Sequence, residues 1–368
     1  METKAEFRVH LKARRDALPV ASREAWSAAI CRHLDHLCRS RRITRLGAFW
    51  PLGSEIDLRP AITAHPDWRW FFPRVASTQR VANAALRQQL VELSGRQVED
   101  GAVLVLDNAS GEVLAWVGSS GDLSDAAQVD GVLARRQPGS TLKPFVYGLA
   151  FEQRLITPAT LLDDSPAQLA TATGLYLPQN YDRTFKGWVS ARTALASSLN
   201  VPAVRVGAML GADALWARLN SFGFELPESG GYYGDSLALG SADVTLLALT
   251  NAYRALANGG MLSPVTLRRT LRASPGAPAA PKRVASAAAT YLVTDILTDN
   301  NARVLTFGLD SALALRSPVA VKTGTSKDLR DNWCIGYSDL YTVGVWVGNA
   351  SGAPMHQPRA AATRAWPA

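Results

Sequence analysis

Apolar runs broken by polar turns divide this chain into strands and helices before any motif is considered. Ala102 to Leu106 and Val113 to Val117 read as two strands either side of Asn108-Ala109-Ser110-Gly111, a hairpin signal. Asn332 to Tyr337 and Tyr341 to Val347 read as a second hairpin through Ser338-Asp339. Pro318-Val319-Ala320-Val321 is a further strand-like run, and Cys334, between Trp333 and Ile335, reads as a buried strand residue. Between these lie helical runs. Phe145-Val146-Tyr147-Gly148-Leu149-Ala150 follows Pro144, which a helix interior does not accept, so that helix must begin close to Ser140. Ala191 to Ser197 is helix-like, with Pro202 as its expected stop. Ser274 to Pro281 reads as a Pro/Ala loop. The layout predicts a mixed α/β (α+β) architecture: an antiparallel sheet with helices on both faces.

The chain has 368 residues, 47% of them apolar, enough for one large core or two smaller ones. Its net charge of +8 is uneven. Residues 1–80 hold 15 Lys+Arg against 8 Asp+Glu, and the remainder holds 24 against 23, a composition step that predicts two segments of different origin. The basic excess is mostly Arg without interleaved aromatics, so nucleic acid is not an expected partner. Three cysteines, Cys31, Cys38 and Cys334, fit neither a disulfide framework nor a metal-ligand spacing, and no metal site is expected. No apolar run reaches the ~18 residues of a membrane span, and the first residues are charged rather than signal-like.

Three short motifs carry the candidate chemistry: Ser140-Thr141-Leu142-Lys143, Ser198-Leu199-Asn200 and Lys322-Thr323-Gly324-Thr325. Each alone is weak, since about one Ser-x-x-Lys arises by chance in a chain this long. In this order they form the set used by serine acyl-transfer enzymes. Ser140 at a helix N-terminus has backbone N–H groups and the helix dipole to favour developing negative charge. Lys143, three residues on, shares its helix face. An unactivated serine needs an adjacent base, and a lysine with its ordinary pKa near ~10.4 is a poor one at neutral pH. Burial and a second cation lower that value, and Lys322 is the expected second cation. Ser198 and Asn200, two apart, are placed by a tight turn to face one cleft, Ser198 as proton relay and Asn200 as an amide-binding group. By itself Asn200 reads first as a helix C-cap asparagine. Gly324 leaves room for another backbone to pair along its strand by β-addition, with Lys322, Thr323 and Thr325 meeting a terminal carboxylate. The backbone N–H groups of Ser140 and Thr325 are the candidate oxyanion hole.

From about Gln79 to about Met355 the chain resembles the transpeptidase domain of class A penicillin-binding proteins of the 1C type. Beyond the motifs, the likeness is carried by Pro178-Gln179-Asn180-Tyr181-Asp182 with Phe185 and Gly187, a substrate-groove segment. It is carried too by Leu239-Gly240, Thr245, Tyr253 and Asn258-Gly259-Gly260 around a central helix, and by Asp331 and Trp333. The resemblance implies a serine β-lactamase/DD-peptidase-like fold with the site between sheet and helices. It implies Ser140 as acylated nucleophile, Lys143 as its base, and Ser198 and Asn200 as second motif. Lys322, Thr323, Gly324 and Thr325 form the third. The implied reaction is D,D-transpeptidation or carboxypeptidation of D-Ala-D-Ala stem peptides in cell-wall synthesis, without a cofactor, with β-lactams as covalent inhibitors. A β-lactamase needs a deacylating acid between the second and third motifs. Glu225 and Glu228 are the glutamates there, and neither has a Glu-x-x-x-Asn setting.

Residues 1 to about 76 instead resemble the N-terminal segment of 5-formyltetrahydrofolate cyclo-ligase. Lys4 and Arg8 lie on a basic first helix, followed by Ala48-Phe49-Trp50-Pro51-Leu52-Gly53-Ser54-Glu55-Ile56-Asp57 and Phe71-Phe72-Pro73-Arg74-Val75. That resemblance implies vestigial ATP contacts at Lys4 and Arg8 and a folate contact at Glu55. ATP and Mg would be cofactors only if the ligase reading held. The family's glycine-rich ATP loop has no counterpart, since Gly230-Gly231-Tyr232-Tyr233-Gly234-Asp235 sits inside the later match.

The expected domains are therefore residues 1–76 as a partial cyclo-ligase-like segment, 77–355 as the transpeptidase domain, and 356–368 as an unstructured Arg/Ala/Pro-rich tail. The resemblance places the function on the periplasmic side of the cell membrane. The chain as written, without signal or span, is expected in the cytoplasm. Alternatives are a folate cyclo-ligase and a non-catalytic β-lactam receptor that acylates without turnover.

Overall fold

The computed structural model describes residues 19–40, 45–47, 69–71, 74–171, 174–267, 280–315 and 317–356. The chain divides into two compact units, Met1–Ser77 and Thr78–Ala368. In the first, a helix spans Val20–Ser40 with Ser27 and Cys31 buried, and the short strands Arg45–Gly47 and Arg69–Phe71 pair in parallel.

The second unit is built on a five-stranded antiparallel sheet. Its spatial order is Ala320–Thr325, Asp331–Tyr337, Tyr341–Gly348, Asp100–Asp107, Val113–Val117. Both expected hairpins are present. Asp107 Oδ1 accepts from Ser110 N and Ser110 Oγ in the first turn. Strand periodicity sorts side chains onto two faces. Ala102, Leu104, Leu106, Trp333, Ile335, Tyr337 and Trp346 enter one core with Phe145, Leu249, Tyr253, Val293 and Ile296 from helices. Val103, Val105, Cys334, Val343, Val345 and Val347 enter the other, with Ala82, Leu86 and Leu90 of the helix Arg74–Glu92. Helices therefore cover both faces.

The helix Leu246–Ala257 crosses the first face. Thr245 caps it by accepting from Ala248 N, and Leu246, Leu249, Tyr253 and Leu256 line its buried side. Phe145, wholly buried, stacks edge-on to Phe222, Phe224 and Tyr253 at 4.8, 5.3 and 5.5 Å. Burial of one such ring contributes about 1.5–3 kcal/mol, so this cluster anchors the helix that follows Ser140.

One expectation is corrected here. Pro202 does not stop the helix that starts at Ala191. That helix ends at Ala196, and Pro202 lies in the first turn of the next, Asn200–Leu210. Three residues into a helix the missing proline N–H has no intrahelical acceptor to lose, so proline opens a helix there instead of closing one. Asn200 is accordingly the first residue of a helix and not a C-cap. The Pro/Ala loop lies largely outside the described residues. Of the C-terminal segment, Met355 is buried and His356 N donates to Arg96 O.

Candidate active site

Ser140 sits in a tight 3-10 turn, Gly139–Leu142, that runs directly into the helix Lys143–Glu152 with Pro144 in its first turn. The approach to this turn is fixed from several elements. Arg136 pairs with Val244 through both backbone groups at 3.0 Å. Trp333 Nε1 donates to Gln137 O at 2.9 Å, and Tyr253 OH donates to Thr141 O at 2.7 Å. Three backbones then touch without side chains between them. Gly139 (φ +55°) has no room for a Cβ, which would stand 2.4 Å from Thr325 O. A Cβ on Gly240 (φ +80°) would lie 2.2 Å from Gly139 O, and one on Gly324 2.3 Å from Pro138 O. Among the described residues the Ser140 hydroxyl has no hydrogen-bond partner, and it is partly exposed.

The second motif is a turn between helices. Ser198 adopts φ +59°, a left-handed conformation uncommon for a residue with a Cβ. Leu199 N donates to Ala194 O at 2.9 Å across it, closing the first helix as Asn200 begins the second. The segment after the helix Ala287–Thr298 braces this turn: Ser197 Oγ donates to Ala302 O and Thr306 Oγ1 donates to Ser197 O.

Both lysines reach this turn, and both are almost wholly buried. Lys143 Nζ donates to Asn200 Oδ1 (2.6 Å), Ser198 O (2.7 Å) and Leu199 O (3.0 Å), and stands 3.4 Å from Ser198 Oγ. Lys322 Nζ donates to Ser198 Oγ at 2.7 Å and to Thr323 O at 2.9 Å. The Ser198 hydroxyl thus lies between two amines. Burial pushes Lys143 well below the usual lysine range; the Lys322 charge pushes the same way, and Asp164 opposes both. Lys322 is pulled down to about 7, first by burial and then by Arg303. Desolvation favours the uncharged amine.

The strand carrying Lys322 is an edge. It pairs with Asp331–Tyr337 on one side, and among the described residues its other side carries no strand. Lys322 and Gly324 share the face of Ala320, while Thr323 and Thr325 alternate to the other and are partly exposed. Thr325 Oγ1 accepts from Asn332 Nδ2 at 3.1 Å. The structure therefore brings Lys143, Ser198, Asn200 and Lys322 into direct contact and seats the Ser140 turn against Gly324 and Thr325. Lys4, Arg8 and Glu55 lie outside the described residues. Glu225 and Glu228 are exposed.

Two charged residues at this site have no motif to announce them. Asp164, wholly buried at the end of the strand Leu161–Asp164, and Arg303, 2% exposed, both act on the lysines. Asp164 carries a faint signal, because aspartate is depleted in strands. Among the described residues no group of three or more His, Cys, Asp or Glu is placed to hold a metal ion. No helix among them is long and apolar enough to cross a membrane.

Residues 101–353 match the family described as penicillin binding protein transpeptidase domain. The chain belongs to this family. A penicillin-binding protein 1C of Escherichia coli (strain K12) is 40% identical over 258 residues, covering 69% of this chain and 32% of the relative. A penicillin-binding protein 1B of Vibrio cholerae is 33% identical over 279 residues, covering 72% and 34%. The chain thus spans about a third of the length of the curated penicillin-binding proteins it matches. The solved PonA1 protein of Mycobacterium tuberculosis in complex with penicillin V shares the transpeptidase fold. Its TM-score is 0.65 at 23% identity, over 80% of this chain and 81% of that one. The transpeptidase domain of penicillin-binding protein 3 from Burkholderia pseudomallei aligns with a TM-score of 0.62 at 19% identity, over 79% and 90%.

Proposed function

We propose that residues 78 to about 355 form a serine D,D-acyltransferase that acts on the D-Ala-D-Ala ends of peptidoglycan stem peptides and is acylated by β-lactams. The observation that carries this reading is the Ser198 hydroxyl held between Lys143 and Lys322, with Lys143 one helical turn along the chain from Ser140, whose hydroxyl has no hydrogen-bond partner among the described residues. Family membership and the PonA1 complex with penicillin V support the ligand class.

In this mechanism the donor stem pairs along the open edge Ala320–Thr325, with its terminal carboxylate at Lys322, Thr323 and Thr325. Lys143 accepts the proton of Ser140 Oγ as that oxygen bonds to the carbonyl carbon of the penultimate D-Ala. The negative oxygen of the tetrahedral adduct is met by the backbone N–H groups of Ser140 and Thr325. As the C–N bond breaks, a proton passes from Lys143 through Ser198 Oγ to the leaving amine, and free D-Ala departs. Asn200 holds the amide of the acyl chain. An amine of a second stem then attacks the ester, its proton leaves by the same relay, and Ser140 Oγ is released with a proton. A β-lactam follows the first half, its ring C–N bond opening on Ser140.

This chemistry belongs on the periplasmic side of the membrane, where stem peptides are cross-linked. For residues 1 to about 76 the cyclo-ligase resemblance rests on sequence alone, and that segment is expected to give no ATP-dependent conversion of 5-formyltetrahydrofolate. Intact-mass spectrometry after incubation with benzylpenicillin tests the main reading. One adduct of the drug's mass is expected, absent in Ser140→Ala. An adduct that persists in that variant refutes the assignment of the nucleophile.

A further inference from the structure

Asp164 has no hydrogen-bond donor of its own to offer as a carboxylate, yet it is wholly buried and met by two donor groups. Asn180 Nδ2 lies 2.9 and 2.8 Å from its two oxygens, and Lys186 N donates to Oδ2 at 2.9 Å. A carboxylate only accepts, so Asn180 must turn its NH2 towards Asp164 and its Oδ1 away. Asn180 Oδ1 then accepts from Asn200 N at 2.8 Å. The neighbouring Gln179 O accepts from Asn200 Nδ2 at 2.7 Å, which leaves Asn200 Oδ1 aimed at Lys143 Nζ, 2.6 Å away. Asp164 and Thr184 O, which accepts from Asn180 Nδ2 at 2.9 Å, together fix the Asn180 amide, and Asn180 in turn holds the backbone N–H at which the helix of Asn200 starts.

We propose that Asp164 is a positioning residue of the acylation site: acting through Asn180, it holds the backbone N–H of Asn200, and with it the start of the helix whose first side chain meets the Lys143 amine. The inference rests on the acylation reading above. Its reach is set by an unbroken line of contacts, Asp164 to Asn180 to Asn200 to Lys143 to Ser198 to Lys322. The charges facing Lys143 are Lys322 across Ser198 and Asp164 behind. Arg303 acts on Lys322 from beyond it, and Tyr147 on the helix of Lys143 also feels Asp164. Lys186, whose N–H meets Asp164, spends its own ammonium on Asp182 at the surface.

The test is the second-order rate of acylation by a fluorescent penicillin, measured across pH, with thermal melting of each variant. Asp164→Asn keeps the shape but replaces one acceptor oxygen with an NH2 that must face either the Asn180 NH2 or the Lys186 N–H; Asn180 keeps its orientation, held by Thr184 O and Asn200 N, but is pushed off its place and holds Asn200 N less well. Acylation is expected to fall roughly 10–100-fold, the scale of a sub-ångström to 1 Å misplacement of a reacting group. The acid limb of the profile should move to lower pH, because an anion that held the proton on Lys143 is gone. The exchange of both residues, Asp164→Asn with Asn180→Asp, restores one carboxylate facing one amide and keeps an acceptor for Asn200 N. It should acylate at least about tenfold faster than Asn180→Asp alone, which sets two carboxylates face to face. That comparison stands even where Asp164→Asn folds poorly. Acylation by Asp164→Asn at the wild-type rate, or an unmoved acid limb with only a lower melting temperature, or no gain in the exchanged pair, overturns the proposal. A wild-type protein that takes up no penicillin overturns the acylation reading itself.

Discussion

Lys322 is expected to weaken the fold at neutral pH, and Lys322→Met to strengthen it. The lysine is 2% exposed, and its pKa falls from an ordinary 10.5 to about 7. A group depressed in this way costs most at low pH. Below about 7 both folded and unfolded chains carry the proton, and the folded one bears the whole cost of a buried charge. Between about 7 and 10.5 the unfolded chain binds more protons, so stability rises with pH across that window. A depression of this size amounts to roughly 4–5 kcal/mol at about 1.4 kcal/mol per unit. Methionine removes that cost and keeps the packing, but it loses the hydrogen bonds to Ser198 Oγ and Thr323 O, each worth ~1 kcal/mol. The variant should then exceed wild type by about 2 kcal/mol near pH 6. By about pH 9.5 wild type has regained roughly 3 kcal/mol and leads. Lys143 titrates in both proteins and largely cancels, except that losing the Lys322 charge relieves it too, in the same direction. Urea unfolding at the two pH values reads the difference directly. A gap between the proteins that stays constant with pH, or a variant less stable than wild type near pH 6, refutes the argument.

Lys143→Ala should slow penicillin acylation by on the order of 10²–10⁴ while its circular dichroism spectrum stays that of wild type; stopped-flow labelling measures the rate. Tyr253→Phe removes the donor to Thr141 O inside the core, and a stranded buried carbonyl costs about 1–3 kcal/mol, read as a lower melting temperature with slower acylation. Gly240→Ala forces a Cβ to within 2.2 Å of Gly139 O, so the Ser140 turn must move; acylation is expected to fall more steeply than stability, measured by the same labelling and by thermal melting.

The strands and the three motifs were legible because each is local. Period-two apolar runs announced both hairpins, and the motif residues announced their own chemistry. The far end of the turn at Ser198 is ambiguous in sequence, because Pro202 carries the same local signal whether it ends one helix or opens the next. Only the left-handed Ser198 decides between them, and φ is not written in composition. Arg303 carries no sequence signal and Asp164 only the faint one of an aspartate in a strand. Their effect on the lysines arises from burial and from chain positions far from the motifs, and neither residue type is distinctive in sequence. The contact of Gly139, Gly240 and Gly324 was half visible: Gly324 was read as a place of close approach, but the backbones that approach it come from elements well apart in the chain.

Ser198 joins a cost and a use in one residue. Its left-handed backbone is disfavoured by ~1–2 kcal/mol for any residue with a Cβ. Glycine there would relieve that strain and give up a hydrogen bond from Lys322 worth about as much. The strained backbone at Ser198 thus offsets much of what its side chain contributes to folding, and what serine adds over glycine is a hydroxyl standing between two amines.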